Sequence, residues 1–149
     1  MRIGVGNDHA GARLKAALAD HLEAAGHVVL DHTPGAASPD DDYPTLVAPL
    51  AQAVAAGTIE RAIFCCGSGI GPAVAANKVR GVRATVATEE WSARDAVEHV
   101  DVNLLTLGER VIGEELAKSV VDAFVAARTE GGRHARRREQ IANLEVERT

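Results

Sequence analysis

Short apolar runs alternate along the chain with longer segments in which apolar residues recur at helical spacing. Such runs are typical of buried strands, and the periodic segments are typical of amphipathic helices. In the first periodic segment, for example, Leu14, Leu18 and Leu22 fall on one face. The pattern predicts strands at 2–6, 27–31, 61–66, 82–87 and 103–107, and helices at 11–25, 45–56, 71–79, 89–99 and 113–127.

This alternation of strands and helices indicates a parallel sheet, because each crossover helix returns the chain to the edge where the previous strand began. We therefore expect one α/β domain over residues 1–149. The predicted fold class is a Rossmann-like (flavodoxin-like) sheet of five parallel strands flanked by helices, with strand order 2-1-3-4-5. The stretch 33–43, rich in Pro, Gly and Asp, is predicted to be a functional loop.

The last segment of the chain differs in character from the rest. After Gly132 it is basic, and only Ile141, Leu144 and Val146 offer an apolar stripe at helical spacing. A helix with so narrow a stripe is not fully covered by its own domain. We therefore expect a C-terminal helix that packs on a partner subunit.

Composition and charge exclude several classes of function. The 149 residues carry a net charge of −5, whereas a protein that binds the nucleic-acid backbone needs a positive face. No apolar run approaches the length of a membrane span, so no membrane partner is expected. The two cysteines, Cys65 and Cys66, are adjacent and would lie on opposite faces of a strand, which suits reduced thiols in a cytoplasmic protein.

Polar residues follow the predicted strands where ligands gather in such sheets, at the carboxyl ends. Asp8 and His9 follow the first strand, Ser68 follows the third within Cys66-Gly67-Ser68, and His99 ends the fourth helix. We expect these groups to face one crevice. For Asp8, capping of the first helix is an alternative.

The segment Cys66-Gly67-Ser68-Gly69-Ile70-Gly71 has the composition of an active-site turn. Its glycines let backbone amides approach an anion, and the start of the following helix favours negative charge. A thiol there can serve as a nucleophile or a base, and Ser68 can offer a hydroxyl to an oxyanion. The alternative is that Cys66 is a small core residue, as we expect for Cys65.

Other chemistries fit the sequence less well. The glycines at 4, 6 and 11 do not have the spacing of a dinucleotide fingerprint, and the six histidines are too scattered along the chain to predict a metal site. Arg133 and Arg137, four residues apart, can converge on one phosphate, although a solvated basic helix face is the alternative. A redox role for the paired thiols lacks the usual Cys-x-x-Cys spacing.

Six short motifs, taken together, resemble the ribose-5-phosphate isomerase B family, which also includes subunits of galactose-6-phosphate isomerase. They are Asp8-His9, Asp42-Tyr43-Pro44, Cys66-Gly67-Ser68-Gly69-Ile70-Gly71, Ala75-Ala76-Asn77-Lys78, Gly108-Glu109-Arg110 and Glu130-Gly131-Gly132-Arg133-His134. The resemblance covers nearly the whole chain. It implies a cofactor-free, metal-free aldose–ketose isomerisation of a phosphorylated sugar through a cis-enediolate. It also implies a homodimer, which could pair into a tetramer, whose active site uses both subunits.

The resemblance also implies a role for each matching residue. Cys66 would be the base between C1 and C2, Ser68 would move protons between the two oxygens, and His99 would help open the furanose ring. The expected binding residues are Asp8 and Tyr43 at the sugar hydroxyls, the amides of Gly67, Ser68, Gly69, Ile70 and Gly71 at the enediolate, and His9, Arg110, Arg133 and Arg137 at the phosphate. The arginines of the last segment are expected to come from the other subunit.

One departure from the family pattern bears on the substrate. Family members commonly carry Asn after the ring-opening histidine, whereas this chain has Val100. Loss of a hydrogen bond to a substrate hydroxyl lowers selectivity strongly. Ribose 5-phosphate is the substrate that the resemblance implies. The missing amide makes a tetrulose 4-phosphate such as erythrulose 4-phosphate an alternative, and allose or galactose 6-phosphate are further alternatives. A non-catalytic anion-binding regulatory module is the alternative from another class.

Overall fold

A five-stranded parallel sheet with helices on both faces organises the chain. The computed structural model describes residues 1–35 and 37–146. In chain order the elements are β1 (Arg2–Asn7), α1 (Ala12–Ala24), β2 (Val28–Asp31), α2 (Tyr43–Ala55), β3 (Arg61–Cys66), α3 (Ile70–Ala76), β4 (Ala84–Val86), α4 (Glu90–Val100), β5 (Leu104–Gly108), α5 (Glu114–Ala126) and α6 (Arg133–Val146). Within that described part, every helix is too short or too polar to cross a membrane.

The strand order across the sheet is β2-β1-β3-β5-β4, so the predicted order 2-1-3-4-5 is wrong although the fold class is confirmed. The reason is visible in the two strands. β5 is buried along its whole length, whereas all three residues of β4 are partly exposed. Because a strand covered on both faces belongs inside a parallel sheet, β5 lies beside β3 and the short β4 forms the edge.

Two hydrophobic clusters, one on each face of the sheet, hold the helices against it. One contains Leu18 of α1, Val97 of α4 and Phe124 of α5, and the other contains Leu50 of α2 and residues of α3. The adjacent cysteines divide between the two clusters, with Cys65 in the first and Cys66 in the second. The prediction that their side chains face opposite sides of the strand is confirmed.

The chain is most tightly packed where β3 ends. The backbone N–H of Asp8 donates to the carbonyl of Cys65 (3.1 Å), which joins the end of β1 to the end of β3. Gly11 then passes so close to β3 that a Cβ atom on it would overlap the backbone of Cys65 and Cys66. This contact fixes where α1 begins relative to the turn that follows β3.

The C-terminal helix α6 packs on α4 of the same chain. Ile141 and Leu144, two residues of the predicted apolar stripe, are 40% and 61% exposed. The third, Val146, has a side chain that lies outside the described residues. The face of α6 that was expected to meet a partner is therefore open in the single chain at the two described positions.

We predict that Gly11→Ala lowers the free energy of unfolding by about 3 kcal/mol or more. The added methyl group would overlap a backbone that cannot move aside, so the cost should be at least that of overpacking a hydrophobic core. Backbone atoms, which cannot rotate away, are what the new Cβ would meet. Chemical denaturation measures the change in unfolding free energy. Gly131→Ala is the matched control, since nothing lies near its Cβ position, and it should leave stability unchanged. Equal stability of the two variants would contradict the close contact.

Candidate active site

A cleft of about 370 Å³ opens at the carboxyl ends of β1 and β3. It brings together most of the predicted site residues that come from the first two thirds of the chain. Its lining is Asp8, His9, Ala10, Tyr43, Cys66, Gly67, Ser68, Gly71, Pro72, Arg110 and Val111. The cleft lies where ligands bind in open α/β sheets.

Cys66 lies at the base of this cleft, with 4% of its surface exposed. Its Sγ accepts a hydrogen bond from the backbone N–H of Gly69 (2.9 Å). Gly69 precedes α3 with φ of 84°, a left-handed conformation that a residue with a side chain rarely adopts. The glycine therefore lets the chain fold back on itself, and the resulting hydrogen bond fixes the position of the sulfur at the cleft floor.

Cys65, by contrast, has its side chain on the other face of the sheet and is fully buried. Burial, followed by the repulsion of Cys66 and Glu109, raises the pKa of its thiol far above the usual range. A thiol that stays protonated is a poor nucleophile and a poor base. Cys65 is therefore a core residue, as the sequence predicts.

The turn that carries Asp8 and His9 is held by a buried polar network. The side chain of Asn7 donates to the carbonyl of Asp8 (2.8 Å) and accepts from the hydroxyl of Thr33 (2.9 Å). The Asp8 carboxylate accepts from the N–H of Ala10 (2.9 Å), which lies before α1, and the N-cap residue of α1 is Gly11 rather than Asp8. The alternative role of Asp8 as a helix cap is therefore wrong. Asp8 stabilises its own turn and lines the cleft.

Two side chains cover glycines of the active-site turn. Tyr43 is the first residue of α2, and its ring lies directly over Gly71. A Cβ atom on Gly71 would lie 2.5 Å from Cζ of Tyr43. The guanidinium of Arg110 lies 3.1 Å from the corresponding position on Gly67. Because these glycines have no side chains, Tyr43 and Arg110 can reach over the turn to the cleft.

The amides of the turn are only partly free to hold an anion. The N–H of Gly69 donates to Cys66, and that of Ile70 donates to the hydroxyl of Ser68 (3.3 Å). These bonds orient the two side chains that are expected to move protons. Ile70 points its side chain to solvent and is 63% exposed.

His99 lies at the other edge of the sheet, so the prediction that it shares a crevice with Asp8 and Cys66 is wrong within one chain. The reason is that a crossover helix runs antiparallel to its strands. α4 starts beyond the carboxyl end of β4 and ends near the amino end of β5, with His99 in its last turn. A strand of this length separates the two edges by roughly 17–20 Å. The described residues that line the cleft include neither His99 nor the arginines Arg133 and Arg137.

A second cluster of polar side chains surrounds His99. Its ring stacks on that of His134, with centroids 3.8 Å apart and planes 10° from parallel. Its Nδ1 lies 2.7 Å from Asp95, and its Nε2 lies 3.7 Å from Glu130. The exposed cations Arg133 and Arg137 lie one turn apart at the start of α6. Histidines, carboxylates and arginines thus converge at the amino edge of the sheet.

The protonation state of His134 follows from its surroundings. Its Nε2 accepts a hydrogen bond from Nε of Arg133 (3.2 Å), so this nitrogen carries no proton. Burial, with the neighbouring His99 and Arg133, lowers the pKa of His134. His134 is therefore a neutral ring that His99 stacks on.

The donor atoms of His99, Glu130 and His134 lie within 4.8 Å of one another, close enough to be tested as a metal site. The spacing of the histidines along the sequence did not predict this cluster. Two observations disfavour a cation there. The parallel stacked rings cannot both direct their lone pairs at one ion, and the lone pair of His134 Nε2 is taken by Arg133. The geometry therefore disfavours a metal ion at this cluster.

A family model described as Ribose/Galactose Isomerase matches residues 3–141. The chain belongs to that family. The expectation of a sugar-phosphate aldose–ketose isomerase is thereby confirmed, and the alternatives of a non-catalytic anion-binding module and of a redox protein are set aside. Both thiols of this isomerase are free.

Three known proteins show how close the similarity is. The isomerase is 43% identical to ribose-5-phosphate isomerase B of Escherichia coli, over 99% of this chain and 98% of that protein. It is 37% identical to D-erythrulose-4-phosphate isomerase of Pectobacterium atrosepticum, over 97% and 95%. Ribose-5-phosphate isomerase B of Mycoplasma genitalium, solved with bound ribulose-5-phosphate, superposes with a TM-score of 0.93 at 35% identity, over 98% and 97%.

The structure adds two residues of this isomerase to which the sequence assigned no role. Glu109 accepts a hydrogen bond from the N–H of Leu14 (3.0 Å) and so caps α1 from the end of β5. Asp95 contacts His99 from one turn earlier in α4. The spacing of four residues between Asp95 and His99 was a signal available in the sequence. Nothing comparable pointed to Glu109, which lies 95 residues from its partner.

Proposed function

We propose that this isomerase interconverts ribose 5-phosphate and ribulose 5-phosphate, with Cys66 as the base. The observation that carries the proposal is the position of the Cys66 sulfur, fixed at the floor of the cleft between Asp8, Tyr43 and Arg110. The names of its relatives support the substrate, since one of them is solved with ribulose-5-phosphate.

The proposed reaction moves one proton between two carbons. The Cys66 thiolate takes the proton from C2 of the open-chain aldose, and the electron pair forms the C1–C2 double bond of a cis-enediolate. Ser68 carries a proton between O2 and O1. The thiol then returns its proton to C1, which leaves the carbonyl at C2 and regenerates the thiolate. The hydrogen bonds from Gly69 to Cys66 and from Ile70 to Ser68 hold both groups in place.

The phosphate supplies binding energy away from the reacting carbons, which positions C1 and C2 over Cys66. We assign its recognition to His9 and Arg110 in the cleft and to Arg133 and Arg137 on α6. A guanidinium can bind a phosphate through two parallel hydrogen bonds, which suits the exposed arginines of α6.

We propose further that the active site is shared across a homodimer. The cleft with Cys66 and the cluster with His99 occupy opposite edges of the sheet in one chain, so one substrate meets both only if a second copy places its cluster at the cleft. The exposed Ile141 and Leu144 of α6 flank a groove of about 820 Å³ that also contains Trp91, and these apolar residues suit an interface with that copy.

We also propose that residues 1–149 form a single isomerase domain and that the protein is cytoplasmic. The two hydrophobic clusters share one sheet, which supports one domain in the described part of the chain. The unbridged cysteines agree with a reducing compartment.

A tetrulose 4-phosphate is the second candidate substrate, and Val100 is the observation that favours it. The Val100 side chain is aliphatic, so it offers no hydrogen bond to a sugar hydroxyl, and it packs against the hydrophobic cluster that contains Val97 and Phe124. A relative 37% identical to this chain is named D-erythrulose-4-phosphate isomerase. The chemistry at Cys66 would be the same for both sugars.

We predict that Cys66→Ala lowers kcat for ribose 5-phosphate by roughly 10²–10⁴-fold, the usual contribution of a general base. The measurement is the initial rate of ribulose 5-phosphate formation. Cys65→Ala is the matched control, because it removes the neighbouring thiol on the opposite face of the strand, and it should keep most of the activity. Near wild-type turnover of Cys66→Ala would remove Cys66 as the base.

The ratio of kcat/KM for ribose 5-phosphate and erythrulose 4-phosphate decides between the two substrates. We expect ribose 5-phosphate to be favoured, and we expect Val100→Asn to increase that preference by restoring a polar group. A wild-type preference for the tetrulose phosphate would overturn the ribose assignment while leaving the isomerase mechanism in place.

A further inference from the structure

The side chain of Asp95 makes a specific contact with one nitrogen of His99. Its Oδ1 lies 2.7 Å from Nδ1, across one turn of α4. A carboxylate only accepts hydrogen bonds, so the proton of a neutral His99 must be on Nδ1. The lone pair of Nε2 is then available for chemistry. The same logic orients the histidine of a serine-protease triad.

The other groups around His99 suit a ring that accepts a proton at Nε2. Glu130 lies 3.7 Å from Nε2, so two carboxylates face the imidazolium that would form. Arg138 donates to the backbone carbonyls of His99 and Glu130. The neutral His134 supports one face of the ring by stacking.

We propose that Asp95 is a positioning residue for opening of the furanose ring, because it holds His99 in the tautomer whose Nε2 is a base. This inference rests on the proposed function and assigns a residue to which that function gave no role. In the step, the anomeric hydroxyl gives its proton to Nε2 and the C1–O1 bond becomes double. The C1–O4 bond breaks, its electron pair stays on O4, and O4 takes a proton from water. The imidazolium returns its proton to water.

The ring-opening step can be measured apart from the proton transfer at Cys66. Ribulose 5-phosphate cannot form a furanose, because its O5 is esterified. Exchange of its C1 proton in D2O, followed by NMR, therefore needs the enediolate but no ring opening. Conversion of ribose 5-phosphate, which is a furanose in solution, needs both.

The experiment compares Asp95→Asn with Glu98→Gln, which removes one negative charge from the same helix without touching the His99 ring. We expect Asp95→Asn to lower turnover of ribose 5-phosphate about tenfold or more and to leave C1 exchange of ribulose 5-phosphate unchanged. Glu98→Gln should change neither. In ¹⁵N-histidine spectra, the signals of His99 should show the proton on Nδ1 in the wild type and a shift toward the other tautomer in Asp95→Asn.

Equal losses of ribose 5-phosphate turnover and of C1 exchange would overturn the assignment, since Asp95 would then support the whole site rather than ring opening. Unchanged turnover, or an Nε2 proton on His99 in the wild type, would overturn it as well. Absence of C1 exchange in the wild-type protein would instead mean that the proposed function itself is wrong. The ¹⁵N spectra decide the tautomer even in that case.

Discussion

Close backbone contact at the carboxyl end of β3 is the constraint on which the active site depends. Gly11 lies against the peptide between Cys65 and Cys66, and a Cβ on Gly108 would lie 2.8 Å from the backbone of Ser68. Side chains at these two positions would push α1 and β5 away from the turn. Asp8 and Arg110, which are attached to those elements, would then move relative to Cys66. The glycines thus set the distances between the groups that we propose act on one substrate.

The same topology that builds the cleft separates it from His99. In a parallel sheet each strand delivers its chemistry to the carboxyl edge, and each crossover helix ends at the amino edge. α4 and the start of α6 accordingly gather His99, His134 and Arg133 far from Cys66. A two-fold axis that placed the amino edge of one sheet at the carboxyl edge of the other would create two equivalent sites at once. Dimerisation would then be a condition for catalysis rather than a means of stabilisation.

Local chemistry could be predicted from the sequence, whereas long-range placement could not. The turn after β3, the separation of Cys65 from Cys66 and the loop before α2 follow from the residues present there. The inner position of β5 follows from its complete burial beside the part-exposed β4, and burial is a property of the assembled sheet that the apolar run of one strand does not report. Contacts such as Glu109 with Leu14 join distant segments and have no local pattern. The stacking of His99 on His134 likewise follows from the docking of α6 on α4.

Complementation between two impaired variants tests the shared site most directly. Cys66→Ala subunits, impaired in proton transfer, and Arg137→Ala subunits, impaired in phosphate binding, are mixed and allowed to exchange, and kcat/KM for ribose 5-phosphate is measured. A hybrid dimer has one site with both wild-type groups and one site with neither. Random exchange should therefore restore about a quarter of the wild-type activity, as two-fold symmetry requires. No recovery in verified hybrid dimers would contradict a site built from Cys66 of one subunit and Arg137 of the other.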